Sequence, residues 1–277
     1  MRGVLLVVIL LLAGCSGAAD PPGSSATSSS AVSSSQAPAA SNTTKAPTSV
    51  QAFTLDGCRN VGGVFPVPMD AARAALPDGF EPVAADDPQG GAVLYAIAVD
   101  CAGSSVDGND TGPAFLGYAE LAVTPPADLI VDGVTDCTVP LFFATSNSAL
   151  GLVVETLGLG LAGQSESSSR TNVTYDDVVQ QGQMRLVLQG ITLQLTYAFA
   201  GPPTGSVASG SFVLYGVQDG QVRSVLKGTS SDGTAVQGPV LLQAAGVPVA
   251  SQARQPALGF SADGFSLAFE RQALPAP

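Results

Sequence analysis

The segment from Thr192 to Phe199 alternates polar and apolar residues, and this alternation limits the fold more than any other feature of the chain. Its apolar face carries Leu193, Leu195, Tyr197 and Phe199, and its polar face carries Thr192, Gln194 and Thr196. Because successive side chains of a β-strand point to opposite faces, the pattern predicts a strand buried on one side only. Such strands are typical of antiparallel sheets.

Further segments have the length and apolar character of strands. They cover residues 51–58, 60–67, 92–99, 114–123 and 138–145. Asp219-Gly220 separates two more such runs, 212–217 and 222–226, and predicts a tight β-hairpin, while Asp263-Gly264 indicates another turn. With 32 glycines in the chain, the predicted fold class is mainly β: a curved or closed antiparallel sheet.

Two short helices interrupt the strands. Residues 68–76 are mostly strong helix formers and are followed by Pro77-Asp78-Gly79, which ends a helix. Ser146-Asn147-Ser148 is a cluster of good N-cap residues in front of the apolar segment 149–157. The sequence therefore predicts one helix in each segment.

The N-terminus carries a targeting signal. Leu12-Ala13-Gly14-Cys15 ends an apolar run that begins at Val4 behind the basic Arg2, and these four residues resemble the lipobox of bacterial lipoproteins. The resemblance implies that residues 1–14 are a removed signal peptide and that Cys15 becomes acylated, which would hold the protein on a membrane surface outside the cytoplasm. The alternatives are a membrane anchor or an ordinary secretory signal.

A polar segment separates this signal from the folded part. Residues 15–50 are mainly Ser, Ala, Thr and Pro, with almost no large apolar side chain. Such a segment buries too little surface to fold and predicts a flexible tether. The remaining residues, 51–277, suit a single domain.

Composition excludes several function classes. The net charge of −12 argues against nucleic acid and anionic lipid surfaces as partners, because phosphates would be repelled. The sequence contains no histidine, which removes Ser-His-Asp and Cys-His catalysis and His-ligated zinc. No metal or cofactor is predicted: the acidic segment 107–112 lacks the distal Glu of a calcium loop, and the glycines of 158–163 follow a helix, unlike those of a dinucleotide site.

The four cysteines constrain the domain's covalent structure. With Cys15 committed to lipid, Cys58, Cys101 and Cys137 remain in an oxidising compartment. One disulfide and one thiol is the simplest arrangement. We favour Cys58 with Cys101, because these residues lie near the ends of neighbouring predicted strands; three buried thiols are the alternative.

Residues 65–163 resemble the acetoacetate decarboxylase family. The resemblance rests on an ordered set of motifs: Val67-Pro68-Met69-Asp70-Ala71-Ala72-Arg73-Ala74-Ala75-Leu76-Pro77, Phe80-Glu81-Pro82, Gly117-Tyr118-Ala119-Glu120, and the capped helix from Ser146 to Val154-Glu155. It implies a cone-like β-barrel with an interior ligand cavity, and a buried lysine that forms a Schiff base with a keto acid. Members often form oligomers, so the resemblance allows an oligomer as well.

The sequence departs from the family at the catalytic positions. Members carry Arg-Glu on the helix and Lys in the following loop, where this chain has Val154-Glu155 and Leu161-Ala162; its only lysines are Lys45 and Lys227. No catalytic residue is therefore assigned. The resemblance implies that Glu120 and Glu155 face the cavity, and the predicted ligand-binding residues are Tyr118, Glu120, Glu155 and Leu161.

Three functions are compatible with these features. The first is a catalytically inactive, membrane-anchored relative that binds a small apolar or amphipathic molecule in its barrel. The second is a lysine-independent enzyme that uses Glu120 and Glu155 as acid and base on a keto or enol substrate. The third is a structural or protein-interaction lipoprotein, in which the two glutamates cap backbone groups or pair with an arginine such as Arg73 or Arg185.

Overall fold

The computed structural model describes residues 50–164, 167–175, 179–200, 205–207, 209–255 and 257–274. The expected signal peptide, Cys15, Lys45 and all of the tether except Val50 lie outside these residues, so lipidation stays a prediction. Within the described part, no helix combines the length and apolar character needed to cross a bilayer.

The described residues form fifteen strands and two α-helices. The strands are β1 (Ala52–Val67), β2 (Glu81–Pro82), β3 (Ala92–Val106), β4 (Asn109–Asp110), β5 (Ala114–Thr124), β6 (Cys137–Thr145), β7 (Leu161–Gln164), β8 (Ser167–Tyr175), β9 (Val179–Leu188), β10 (Ile191–Ala200), β11 (Gly205–Val207), β12 (Gly210–Gln218), β13 (Gln221–Ser230), β14 (Gly233–Ala245) and β15 (Ala257–Gln272). The helices are α1 (Met69–Ala75) and α2 (Ser148–Thr156). Both helices and the hairpin at Asp219-Gly220 lie where the sequence predicts them.

Seven strands close into a barrel, which confirms the predicted fold class. Their order around the barrel is β1-β3-β5-β6-β12-β13-β15, and β15 pairs back with β1. All neighbours are antiparallel except β6 and β12, where Val213 and Leu214 pair in parallel with Cys137 and Thr138. This short parallel contact completes the ring, so the barrel is not purely antiparallel.

A second sheet branches from the barrel at β15. Residues 257–263 of β15 pair with β14, whereas residues 267–272 pair with β13, and β14 continues through β10 and β9 to β8. Asp263-Gly264 lies between the two halves, inside the strand and with a left-handed Gly264 (φ 76°). The turn expected at Asp263-Gly264 is therefore wrong: these residues mark a bulge at which β15 changes partners.

The second sheet packs on the outside of the barrel. Its buried face carries Leu193, Leu195, Tyr197 and Phe199, each no more than 3% exposed, as the alternation predicts. These side chains join one hydrophobic cluster with outward-facing barrel residues such as Ala96 and Ala119. Small residues on the outer face of the barrel allow the second sheet to approach closely. A Cβ on Gly117, for example, would overlap the Leu186 side chain of β9.

The barrel interior is a separate hydrophobic cluster, filled at one end by α2. Leu150, Val153, Val154 and Leu157 are buried there. Asn147 caps the helix: its Oδ1 accepts from the Leu150 N–H (3.1 Å), and its Nδ2 donates to the Thr111 carbonyl (2.8 Å). The end of the helix is held because the Ser224 hydroxyl donates to the Leu157 carbonyl (2.6 Å).

Cys58 and Cys101 form a disulfide between β1 and β3. The two residues are direct cross-strand partners, and the bond lies against the hydrophobic core inside the barrel. Cys137 is a buried free thiol.

Candidate functional site

Polar side chains cluster inside the barrel, in the half away from α2. Tyr95 on β3 is the cross-strand partner of Glu120 on β5, and Ile97 is the partner of Tyr118 in the same way. On the other side, Glu120 lies opposite Pro140 of β6, next to a β-bulge. These residues share the inward face of the sheet because they occupy alternate positions along their strands.

Glu120 is a buried carboxyl group with one hydrogen bond. It is only 7% exposed, and its Oε2 accepts from the Thr138 hydroxyl at 3.0 Å. Burial raises the pKa of Glu120 to about 8; the Thr138 hydrogen bond lowers it, and the nearby Asp136 raises it further. Glu120 therefore carries a proton through most of the neutral range.

Asp136 is a second carboxyl group that the sequence interpretation missed. It directly precedes β6, two residues before Thr138, and burial raises its pKa to about 6. Its backbone carbonyl accepts from Val213 N–H at the parallel closure of the barrel. The sequence does contain a signal for Asp136: the two-residue period of a β-strand places Asp136, Thr138 and Pro140 on one face of β6.

Two tyrosines complete the polar cluster. Burial, together with Asp136 and Glu120, raises the pKa of Tyr95 and that of Tyr118 well above the usual range, so both remain neutral phenols. Tyr95 is 8% exposed, and its hydroxyl has no hydrogen-bond partner among the described residues. Tyr118 stacks on Phe143 with ring centroids 5.5 Å apart.

The inner face at this cluster is not completely filled. Tyr118 and Ile97 both point into the barrel, yet both keep part of their surface accessible. Next to them, Tyr95 packs with Val93 and Ala122 in a small apolar group. Space of at least solvent size therefore adjoins a surface that is apolar except for the polar cluster.

The structure brings together only two of the four expected ligand-binding residues. Tyr118 and Glu120 lie side by side on the inner face, as described. Glu155 is exposed on α2, so the expectation that it faces the interior with Glu120 is wrong. Leu161 on β7 is the parallel partner of Phe142 and, like Phe142, packs against the cluster outside the barrel.

No lysine side chain of the described residues reaches the cluster. Lys227 lies beside Val213 on the outward face of the barrel and forms an ion pair with Asp132 (2.6 Å). Arg73 pairs with Asp70 and Glu81, and Arg185 is exposed. Neither arginine therefore pairs with Glu120.

The acidic segment 107–112 forms a hairpin tip. The Asp107 carboxylate accepts from the N–H groups of Gln51 and Ala52 (2.9 Å each), and Asp110 accepts from Gly112 N–H (2.8 Å). The described residues contain no group of three or more Cys, Asp or Glu placed to hold a metal ion.

The fold is similar to that of several solved structures. An acetoacetate decarboxylase-like enzyme from Sphingomonas wittichii RW1 matches with a TM-score of 0.53 and 9% identity, over 85% of this chain and all of the other. Acetoacetate decarboxylase from Legionella pneumophila matches with a TM-score of 0.52 and 10% identity, over 81% of this chain and 88% of the other. A further acetoacetate decarboxylase gives 0.50 and 14%, with coverages of 81% and 88%.

The fold is that of acetoacetate decarboxylase. No known family profile matches the sequence, and no curated protein matches it. At these identities the acetoacetate decarboxylase likeness extends to the backbone architecture only, because one fold supports many different functions.

Proposed function

We propose that this protein is a membrane-anchored, extracytoplasmic lipoprotein whose acetoacetate decarboxylase-like barrel binds a small amphipathic molecule without the family's Schiff-base chemistry. One observation carries the proposal: a partly open inner face is apolar apart from a polar cluster of Tyr95, Tyr118, Glu120, Asp136 and Thr138. Such a surface accepts an apolar molecule and orients its polar end. Among the described residues, no lysine lies there to form a Schiff base.

Copurification tests the binding function. The full chain with Cys15→Ser carries no acyl group that could compete for the interior, and native mass spectrometry followed by organic extraction should find a bound small molecule. Ile97→Trp should fill the space beside Tyr118 and abolish the bound mass. Leu152→Trp is the matched control, because Leu152 is 54% exposed on α2. A bound mass that survives Ile97→Trp would place the ligand elsewhere and contradict the proposal.

The anchor is tested separately. Cells expressing the chain should incorporate a clickable palmitate analogue into the protein, and Cys15→Ser should remove the label. Label that persists in Cys15→Ser, or no label in the parent chain, would contradict lipidation at Cys15. The result does not depend on the barrel.

A second candidate function is proton transfer on a keto or enol substrate, favoured by the pair Glu120 and Asp136. Their pKa values, about 8 and about 6, lie on either side of neutral pH, so one can act as acid while the other acts as base. The enzyme should then catalyse deuterium exchange into a methyl ketone in heavy water, measured by NMR. Glu120→Gln should remove this exchange, and an unchanged rate would exclude the role.

A further inference from the structure

The barrel interior has an unbalanced charge. Glu120 and Asp136 are close enough to interact electrostatically, and among the described residues no Lys or Arg acts on the pKa of either group. Ion pairs among the described residues lie outside this cluster. They include Arg59 with Asp263, Arg73 with Asp70 and Glu81, Arg223 with Asp219, Lys227 with Asp132, and Arg254 with Asp87. Nothing described in the protein neutralises these two carboxyl groups.

A second observation shows that the cluster is incomplete as a hydrogen-bonding site. Tyr95 is more than nine-tenths buried and lies directly across from Glu120, but its hydroxyl has no partner among the described residues. Among the described residues, Glu120 forms a hydrogen bond through Oε2 alone, with Thr138. Neither the Tyr95 hydroxyl nor Glu120 Oε1 is among the fully buried side-chain atoms without partners in the described residues, so both face accessible space in which a ligand can form hydrogen bonds with them.

The neighbouring rings favour the same kind of ligand. Tyr118 and Phe143 form an aromatic stack on the inner face beside Glu120, and aromatic faces attract organic cations. Two carboxyl groups next to aromatic rings form a suitable environment for a positively charged nitrogen with an apolar substituent. An anionic keto acid would instead be repelled by Asp136.

We propose that the barrel interior selects an organic ammonium ion, with the nitrogen between Glu120, Asp136 and the Tyr95 hydroxyl and the apolar part against Ile97, Tyr118 and Phe143. This inference rests on the proposed binding function and specifies its ligand class. The cation displaces the proton of Glu120, so binding strengthens as the pH rises. The titratable groups facing Glu120 are Tyr95 on β3, Tyr118 on β5 and Asp136 beside β6, and neither tyrosine ionises in this range.

Three probes of equal chain length test the charge preference. Hexylammonium, hexan-1-ol and hexanoate are titrated into the full Cys15→Ser chain, and their dissociation constants are measured by saturation-transfer NMR. Hexylammonium should bind about ten-fold more tightly than hexan-1-ol, and Glu120→Gln or Asp136→Asn should each remove that advantage. Hexylammonium affinity should also rise from about pH 6 to about pH 9, since Glu120 titrates near 8.

The net charge of −12 attracts cations to the surface as well, so a matched control is required. Glu155→Gln removes an exposed carboxylate and should leave hexylammonium binding unchanged, as should moderate salt, which screens surface charges more than buried ones. Binding lost in salt and insensitive to Glu120→Gln would be surface attraction and would overturn the inference. Retained circular dichroism shows that each variant is folded.

The outcomes separate the two proposals. If hexan-1-ol and hexanoate bind as tightly as hexylammonium, and Ile97→Trp blocks all three, the charge preference is wrong and the binding function stands. If none of the probes binds and no molecule copurifies, the binding function fails, and the ammonium site with it.

Discussion

Replacing Glu120 by Gln should stabilise the protein, and more so at high pH than at low pH. In the folded chain, burial raises the pKa of Glu120 from its ordinary 4.5 to about 8. Between these values the folded state binds more protons than the unfolded state, so the free energy of unfolding falls as the pH rises. The contribution of Glu120 is fully present below about pH 4.5 and is lost as the pH passes through about 8.

The magnitude follows from the interval between the two pKa values. Ionising Glu120 in the folded state costs up to about 5 kcal/mol at high pH. Gln has nearly the same shape and can still accept from Thr138, but it carries no charge to desolvate. Its stabilising effect should therefore grow by about 4 kcal/mol between about pH 5 and about pH 8.5.

Urea denaturation of the Cys15→Ser chain and of its Glu120→Gln variant at both pH values measures this change. Glu155→Gln is the matched control, because the same substitution at an exposed position of α2 should give no comparable pH-dependent gain. If Glu120→Gln changes the free energy of unfolding equally at both pH values, Glu120 titrates normally and the buried acidic site does not exist.

Two further predictions concern the scaffold. Replacing Cys58 and Cys101 together by Ser removes a cross-link over 43 residues and should lower the free energy of unfolding by about 4 kcal/mol. A reductant should lower the urea midpoint of the parent chain and leave that of the variant unchanged. If the reductant does not change the midpoint of the parent, the disulfide is refuted. Gly216→Ala would place a Cβ against the Leu157 carbonyl oxygen and should lower the free energy of unfolding, measured with urea, by about 2 kcal/mol or more. Gly103→Ala is the control, because Gly103 has open space around it, and should lower this free energy by less than about 0.5 kcal/mol. Equal effects at the two glycines would contradict the packing of α2 inside the barrel.

Local signals in the sequence were sufficient for individual elements. The alternation at 192–199 depends only on which face of one strand is buried, and the Asn147 cap depends only on the first turn of α2. Closure of the barrel has no such signal. It requires β1 to meet β15 and β6 to meet β12, and both pairings are set by the geometry of the whole sheet. Asp263-Gly264 shows the limit: continuous pairing along β15 overrides a local turn preference.

The sequence predicts those parts of the candidate site that depend on one strand alone. Tyr118 and Glu120 lie on one strand, two residues apart, so their shared face follows from the sequence. Glu155 was misplaced because a family position was preferred to helix periodicity. Leu150, Val153, Val154 and Leu157 already form the buried stripe of α2, and Glu155 falls outside it. Asp136 was overlooked because it precedes its strand and belongs to no motif.

The position of β15 has a consequence for how the molecule is made. This last strand closes the barrel against β1 and also carries the second sheet, so partners such as Ser261 and Asn60 are 201 residues apart in the chain. β1 can pair with β3 early, but its pairing with β15 must wait until nearly all of the described residues have been synthesised. Until then the barrel cannot close, and its apolar inner face stays exposed on the growing chain.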